Sequence, residues 1–139
     1  MILGTIFVKK RTMNSLLSLL TGILLLFSIP SDIPYTTLQK AMQSNDAKAI
    51  VQTGKDKILL NILGKEGAYN HSQAEMVLNE FFNKKPKGDF IYVFKGKENS
   101  DGIFAIGKYT YGKESYRTTF HFRAEKSESK LESLTIEKE

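Results

Sequence analysis

The chain has 139 residues, of which 41% are hydrophobic and 25% are charged, and its formal net charge is +5. This length accommodates one folded domain and is too short for two ordinary ones. Cysteine is absent, which excludes disulfides, thiol catalysis, thiolate metal sites and a lipid anchor attached to cysteine.

The first thirty residues have the composition of an export signal. Lys9, Lys10 and Arg11 precede the apolar run SLLSLLTGILLLFSIP at 15–30, and a basic segment followed by an apolar one is typical of a secretory signal. The run is shorter than the roughly 20 apolar residues that a spanning helix needs, so a cleaved signal peptide is favoured over a retained N-terminal anchor. We therefore expect a periplasmic or secreted protein with a single domain at 31–139.

The basic excess belongs largely to this signal. Without residues 1–30, 17 basic residues face 15 acidic ones and the net charge falls to +2. The remaining lysines are interleaved with glutamates and aspartates and do not line one element, so nucleic acid is a poor partner. We expect no association with the membrane after the signal has been removed.

Two short helices are predicted at the start of the mature chain. Apolar residues recur at helical spacing from Ile33 to Met42, and either Ser31 or Asp32 is positioned to cap the first helix. The polar stretch SND at 44–46 then interrupts the pattern and can cap a second short helix.

A third helix is the best specified element of the sequence. Within NHSQAEMVLNEFFNKKP at 70–86, Ser72 followed three residues later by Glu75 matches a capping box. Phe81 and Phe82 complete one broad apolar face of this helix. We expect it to close the core against a sheet.

Further along the chain the hydrophobic period changes from 3.6 to 2, which indicates strands. In DFIYVFKG, alternation places Phe90, Tyr92 and Phe94 on one side. Polar turns between the runs suit hairpins that join antiparallel neighbours. Helices followed by hairpin-linked strands predict an α+β fold, with the N-terminal helices packed on the concave face of a curved antiparallel sheet. The predicted strand segments are DKILLNILG, DFIYVFKG, GIFAIGKYTYG, SYRTTFHFRAEK and LESLTIEKE.

Three stretches carry a family resemblance: YNHSQAEMVLNEFF, FIYVFKGKENSDGIFAIGKYTY and SYRTTFHFR. They resemble a secreted bacterial family catalogued only as a domain of unknown function (number 4783), within the nuclear transport factor 2-like superfamily. The resemblance covers about residues 33–138. It implies a cystatin-like cone with an apolar pocket between helices and sheet, often dimerised through the outer face of the sheet. It implies no reaction, because this superfamily hosts enzymes, binding modules and inert scaffolds alike.

Aromatic residues are the candidate lining of that pocket. A ring with a polar tip suits a ligand site, although cross-strand packing explains the same tyrosines without any ligand. Tyr69 and His71 lie just before the third helix and are placed at the pocket mouth, with a local capping role as the alternative for His71. The candidate lining residues are Phe81, Phe82, Tyr92, Phe94, Tyr109 and Tyr111.

Catalytic and metal-binding patterns are not recognisable in the sequence. The carboxylates of the strand region fall at strand ends or at alternating, solvent-facing positions, where they are ordinary surface charges. His121 alternates with Arg117 and Arg123 on a polar strand face, and the two histidines lack metal-ligand spacing. We therefore expect no metal and no cofactor.

The leading hypothesis is a non-enzymatic exported domain that binds a small apolar ligand or a protein partner through its pocket. One alternative is a lyase or isomerase of the ketosteroid-isomerase type, with His71 or a tyrosine as the acid or base. The other alternative is a purely structural module that forms a homodimer through the outer sheet face.

Overall fold

A computed structural model describes residues 32–139, so the predicted signal segment lies outside the described residues. The helices are α1 (Tyr35–Gln43), α2 (Ala47–Gln52) and α3 (His71–Phe82). The strands are β1 (Gly54–Ile62), β2 (Lys65–Tyr69), β3 (Asp89–Lys95), β4 (Ile103–Tyr111), β5 (Glu114–Glu125) and β6 (Glu128–Lys138). Within residues 32–139, no helix has both the length and the hydropathy to cross a bilayer.

The strands form one sheet in the order β2-β1-β6-β5-β4-β3. Four neighbouring pairs are antiparallel, as the hairpin signals predict. The exception is β1 with β6, which run parallel, because the last strand inserts between the first hairpin and β5. Register shifts in three of the pairings bend the sheet. The predicted α+β fold is confirmed, and the expectation of an entirely antiparallel sheet is corrected at this one pair.

A bulge in β3 changes which side chains face the helices. Tyr92 pairs with Gly107, whereas Phe94 pairs with Ile106, so Val93 is an extra residue and the side chains beyond it exchange faces. Phe94 consequently lies on the outer face and is 48% exposed. The prediction that Phe94 shares a face with the other β3 aromatics is wrong, because strict alternation does not anticipate an inserted residue.

Lys95 takes the inner position that Phe94 was expected to hold. Its Nζ lies 4.6 Å from the ring centroid of Tyr35 and 5.1 Å from that of Tyr92. These are cation–π contacts, in which the negative face of an aromatic ring attracts the ammonium group without any carboxylate. The bulge therefore exchanges a phenylalanine for a lysine on the helix side of the sheet.

Helix α3 has its capping box two residues before the predicted one. Asn70 Oδ1 accepts a hydrogen bond from the backbone N–H of Gln73 at 2.9 Å, and Gln73 Oε1 accepts one from the backbone N–H of Asn70 at 3.2 Å. The reciprocal geometry is the expected one, but the prediction of Ser72 and Glu75 is wrong. Asparagine caps a helix as well as serine does, so the motif has two matches in this stretch.

The two short helices differ in how they begin. Pro34 precedes α1 and no side chain caps this helix, so the prediction that Asp32 caps it is wrong, and Ser31 lies outside the described residues. Asp46 caps α2, as the SND stretch predicts, because its Oδ1 accepts a hydrogen bond from the backbone N–H of Ala49 at 3.1 Å.

The core lies between the helices and the inner face of the sheet. Phe81 and Phe82 are 5% and 2% exposed, which confirms that α3 closes the core. Their burial supplies roughly 3 to 6 kcal/mol of transfer free energy. The largest fully buried side chains are Tyr109, Phe90, Phe120, Phe122, Leu38, Met42, Ile50, Ile58, Leu78, Leu131, Leu134 and Ile136.

Candidate functional site

Three of the predicted pocket residues, Phe81, Phe82 and Tyr109, pack against one another. The ring centroid of Phe81 lies 5.4 Å from that of Phe82 and 5.3 Å from that of Tyr116. The ring centroid of Phe82 lies 6.0 Å from that of Tyr109. Edge-to-face and tilted pairs at these separations are favourable. Aromatic side chains thus fill the space between α3 and the inner face of β4 and β5, which we call the aromatic interior.

The hydroxyl groups of the inner tyrosines are used within the fold. Tyr92 donates a hydrogen bond to the carbonyl oxygen of Tyr35, and Tyr109 donates one to Asn45 Oδ1, both at 2.8 Å. Burial raises the pKa of Tyr92 and of Tyr109. These hydroxyls connect the sheet to the first helix and to the turn that follows it.

The other predicted residues lie in different places. Tyr111 is half-buried against the core, and Tyr69 is half-buried and lines a cleft. His71 does not line that cleft, because its Nε2 lies 2.8 Å from the carbonyl oxygen of Lys55. A carbonyl oxygen only accepts, so Nε2 carries the proton and donates it there. His71 therefore connects the start of α3 to β1.

A cleft of about 210 Å³ opens where the β1–β2 hairpin meets the second half of α3. We call it the lysine-rimmed cleft. Residues from the hairpin form one wall and residues from α3 form the other. The apolar and aromatic part of the lining consists of Ile62, Leu63, Tyr69, Val77 and Phe81.

Four charged residues complete this lining, and they are not paired with one another. Lys65 comes from β2, while Glu80, Lys84 and Lys85 come from α3 and the turn after it. The ion pairs within residues 32–139 involve other residues. The cleft therefore combines an apolar floor with charges that form no ion pair within residues 32–139, and Lys85 Nζ donates a hydrogen bond to the carbonyl oxygen of Phe81 at 3.5 Å.

Lys85 lies at the boundary between the floor and the rim. Its Nζ lies 4.2 Å from the ring centroid of Phe81 and 5.1 Å from that of Tyr116. Burial is the main cause that lowers the pKa of Lys85. This amine is thus held over an apolar surface by aromatic rings, where water stabilises its charge less than it does at an exposed site.

Leu63 adopts an unusual backbone conformation at the edge of the cleft. Its φ angle is 55° and that of Gly64 is 91°, the positive values that a tight hairpin turn requires, and Asn-Gly is the common sequence for such a turn. Leucine in this conformation costs about 1 kcal/mol more than a residue suited to it. Backbone strain of this kind clusters at ligand-contacting sites, and the Leu63 side chain is 52% exposed.

The outer face of the sheet carries a row of exposed aromatic residues, which alternation alone did not predict. Phe94, Phe104 and His121 lie on the adjacent strands β3, β4 and β5, and we call them the outer aromatic row. The ring centroids of Phe94 and Phe104 are 5.4 Å apart, and those of Phe104 and His121 are 5.8 Å apart. Phe104 is 39% exposed. The row exists because the β3 bulge turns Phe94 outward.

The protein surface has a further depression besides the lysine-rimmed cleft. A broader one of about 420 Å³ lies over the outer side of β1, β2 and β6. Its lining includes Glu66, which accepts a hydrogen bond from Asn61 Nδ2 at 2.9 Å. Among residues 32–139, no group of histidines and carboxylates is arranged to hold a metal ion. The lysine-rimmed cleft is therefore the candidate site.

Comparison with known proteins places this geometry in a family. Residues 35–137 match the model of the family described as Domain of unknown function (DUF4783). A DUF4783 family protein from Bacteroides fragilis is 24% identical and has a TM-score of 0.69, with 78% of this chain and 100% of that chain covered. No curated protein matches the chain significantly.

More distant structures share the architecture. An NTF2-like protein of unknown function from Silicibacter pomeroyi has a TM-score of 0.56 at 8% identity, with 76% of this chain and 89% of that chain covered. A domain of unknown function with a cystatin-like fold from Nostoc punctiforme has a TM-score of 0.61 at 8% identity, with 76% and 72% covered. These likenesses establish an NTF2-like, cystatin-like fold and carry no function. Because the family match spans nearly all of the described residues, the chain belongs to the DUF4783 family, as its sequence motifs predicted.

Proposed function

We propose that this domain is a non-enzymatic binding module and that a small apolar ligand enters the lysine-rimmed cleft. The observation that supports this most is the apolar floor of Ile62, Val77 and Phe81, open to solvent beside unpaired charges. The volume of about 210 Å³ is below the roughly 300–1,000 Å³ of clefts that hold drug-sized ligands. The ligand is therefore small, or only part of it enters.

The state of the candidate acid–base groups supports binding over catalysis. A general acid or base must reach the substrate and exchange protons near the working pH. Tyr92 and Tyr109 use their hydroxyls inside the fold, and burial raises the pKa of each. His71 is occupied by the carbonyl oxygen of Lys55. A ketosteroid-isomerase-like reaction would require one of these groups to face the cleft.

The test is to fill the cleft and measure the binding of a neutral apolar probe. NMR titration of the protein with octanol should shift the amide signals of Ile62, Val77 and Phe81 first. The substitution Val77→Trp should abolish these shifts, because the indole occupies the floor. The matched control is Met76→Trp, at the adjacent position on α3, where the side chain is 72% exposed and outside the cleft lining.

The control variant should bind octanol as the unchanged protein does. Octanol shifts that survive Val77→Trp, or that centre on another surface, would contradict the proposal. The same titration should detect no turnover of the probe.

The protein partner that the outer face favours is a second copy of this chain. The outer aromatic row exposes two phenylalanine rings and a histidine on neighbouring strands, and aromatic residues are enriched at interface centres. A stable dimer needs roughly 800 Å² buried per partner. This homodimer is proposed in addition to the ligand site.

Sedimentation equilibrium tests the dimer. The unchanged protein should sediment as a dimer, and the double substitution Phe94→Ser and Phe104→Ser should give a monomer. Met76→Ser is the matched control, since Met76 is 72% exposed and lies on α3 instead of the outer face of the sheet. A monomeric unchanged protein at high concentration would argue against the dimer.

We also propose that the protein is exported and acts in the periplasm or outside the cell. The support is the basic segment and the apolar run within residues 1–30. Fractionation of the producing cell, with mass spectrometry of the N-terminus, should recover a shortened chain outside the cytoplasm. A full-length chain in the cytoplasm would contradict export.

A further inference from the structure

The rim of the lysine-rimmed cleft carries an excess of positive charge. Three lysines stand against one glutamate in its lining. The carboxylate that raises the pKa of Lys85 is that of Glu114, which already has other partners. Glu114 Oε1 lies 3.8 Å from the Nζ of Lys138, and Glu114 Oε2 accepts a hydrogen bond from the Tyr116 hydroxyl. The described residues therefore leave the positive charge of the cleft largely uncompensated.

Lys85 is the amine placed closest to the apolar floor. Its Nζ lies over the ring of Phe81, and Phe81 itself lines the cleft. Burial first, and then the like charges of Lys84 and Lys138, lower the pKa of Lys85, while Glu114 acts in the opposite direction. An anion bound beside Lys85 would offset both the lost hydration and the repulsion.

We infer that the ligand of this cleft is a small amphipathic anion, with an apolar body over Ile62 and Val77 and an anionic head group held by Lys85. Lys65 and Lys84 strengthen the attraction from the rim. This inference rests on the proposed function, because it specifies the chemistry of the ligand at the same site. A carboxylate suits the position, since a protonated amine forms short, charge-assisted hydrogen bonds with it.

Calorimetric titration with octanoate and octanamide separates the contribution of the head group to affinity from that of the apolar body. The two probes share the same chain, and only octanoate is charged. We expect octanoate to bind about tenfold more tightly than octanamide, as one charge-assisted contact at a partly buried site allows. Added salt should reduce this difference, because it screens the exposed lysines of the rim.

Substitutions then assign the effect to the cleft. Lys85→Gln should remove most of the advantage of octanoate over octanamide. The matched control is Lys97→Gln, since Lys97 is an exposed lysine in the β3–β4 connection, outside the cleft lining. Near-ultraviolet circular dichroism verifies that each variant is folded. The double substitution Lys65→Gln and Lys84→Gln changes only exposed side chains and should weaken octanoate about threefold.

Each result has a distinct meaning. Equal affinity for the two probes would overturn the anionic ligand and leave the proposed apolar-ligand function standing. Failure of both probes to bind would overturn both proposals. An octanoate preference that persists in Lys85→Gln and in the double variant would overturn the assignment to this cleft.

Discussion

Helix α3 borders two regions, one of which is filled by side chains while the other is an open cleft. On the side of Phe82, rings from the helix and from β4 and β5 meet and leave no room, and Tyr109 is fully buried there. On the side of Val77, the β1–β2 hairpin and the helix leave a cleft of about 210 Å³ between them. The same helix thus has one side that is filled by side chains and one side that stays open.

The two regions also differ in whether their polar groups have partners. In the aromatic interior, the hydroxyl of Tyr109 is bonded to Asn45, and that of Tyr92 to the backbone of Tyr35. In the lysine-rimmed cleft, the amines lack carboxylate partners within residues 32–139. One region is built for stability, because buried polar groups are costly unless they are satisfied, and the other retains charges that a ligand can engage.

The largest expected effect comes from emptying the aromatic interior. Phe82→Ala should lower the free energy of unfolding by about 3 to 5 kcal/mol, because a large ring is lost where the neighbours cannot collapse. Val77→Ala, in the half-buried cleft wall, should cost about 1 kcal/mol or less. Urea denaturation measures both. Equal losses would remove the distinction between the filled and the open region.

Alkaline pH should weaken the interior next. Burial raises the pKa of Tyr92 and Tyr109, and it raises that of Tyr116 to about 12 from an ordinary value of 10.0. A pKa that is higher in the folded state gives stability that is complete below pH 10 and is lost as pH rises toward 12. The pKa of Lys85 is lowered, which has the opposite effect on stability. It is one group against four, since burial raises the pKa of Tyr35 as well.

The measurement is the urea midpoint as a function of pH, with tyrosinate absorbance recorded in parallel. The midpoint should fall as the buried tyrosines ionise. A midpoint that stays constant between pH 10 and pH 12 would show that these hydroxyls ionise without disturbing the fold.

A smaller effect is expected from one interior hydroxyl. Tyr109→Phe removes the hydrogen bond to Asn45 Oδ1, whose Nδ2 also donates to the carbonyl oxygen of Lys85 at 3.1 Å. The loss should be about 1 kcal/mol in unfolding free energy. The matched control Tyr111→Phe should be nearly neutral, since the Tyr111 side chain is only half-buried. Comparable losses in the two variants would show that removing any tyrosine hydroxyl has this effect, and that the bond to Asn45 has no special role.

The smallest change should have opposite effects on stability and binding. Leu63→Asn relieves the positive φ angle of 55° and should stabilise the protein by about 0.5 to 1 kcal/mol. The same substitution removes apolar surface from the cleft and should weaken octanol binding. Thermal unfolding and the octanol titration measure the two effects. A variant that gains stability and keeps full affinity would remove Leu63 from the site.

Much of the fold could be predicted because it follows from local periodicity. The broad apolar face that ends at Phe81 and Phe82 predicted a core-closing helix. The segment SYRTTFHFRAEK was predicted as a strand, and its residues from Tyr116 to Phe122 are buried at every second position. The Asp46 cap also depended only on neighbouring residues. Such features need no knowledge of distant contacts.

The site could not be predicted in the same way. Phe94 was expected in the pocket, but the insertion at Val93 depends on the partner strand. The unfilled volume depends on Ile62 and Val77 facing each other across elements that are distant in the sequence. The positive φ angle of Leu63 was not predicted either, although the following glycine in "LG" was a signal for a tight turn. The predicted ligand role of the aromatic residues stays a prediction.

The parallel pairing of β1 with β6 has a consequence for how the chain folds. Leu60 lies beside Leu134, so β1 obtains its second neighbour only after most of the chain has been synthesised. Contacts between residues far apart in the sequence close slowly, and the β1–β2 hairpin alone is marginal in water. The sheet is therefore complete only once β6 is available, and a chain that ends before β6 leaves one edge of β1 unpaired.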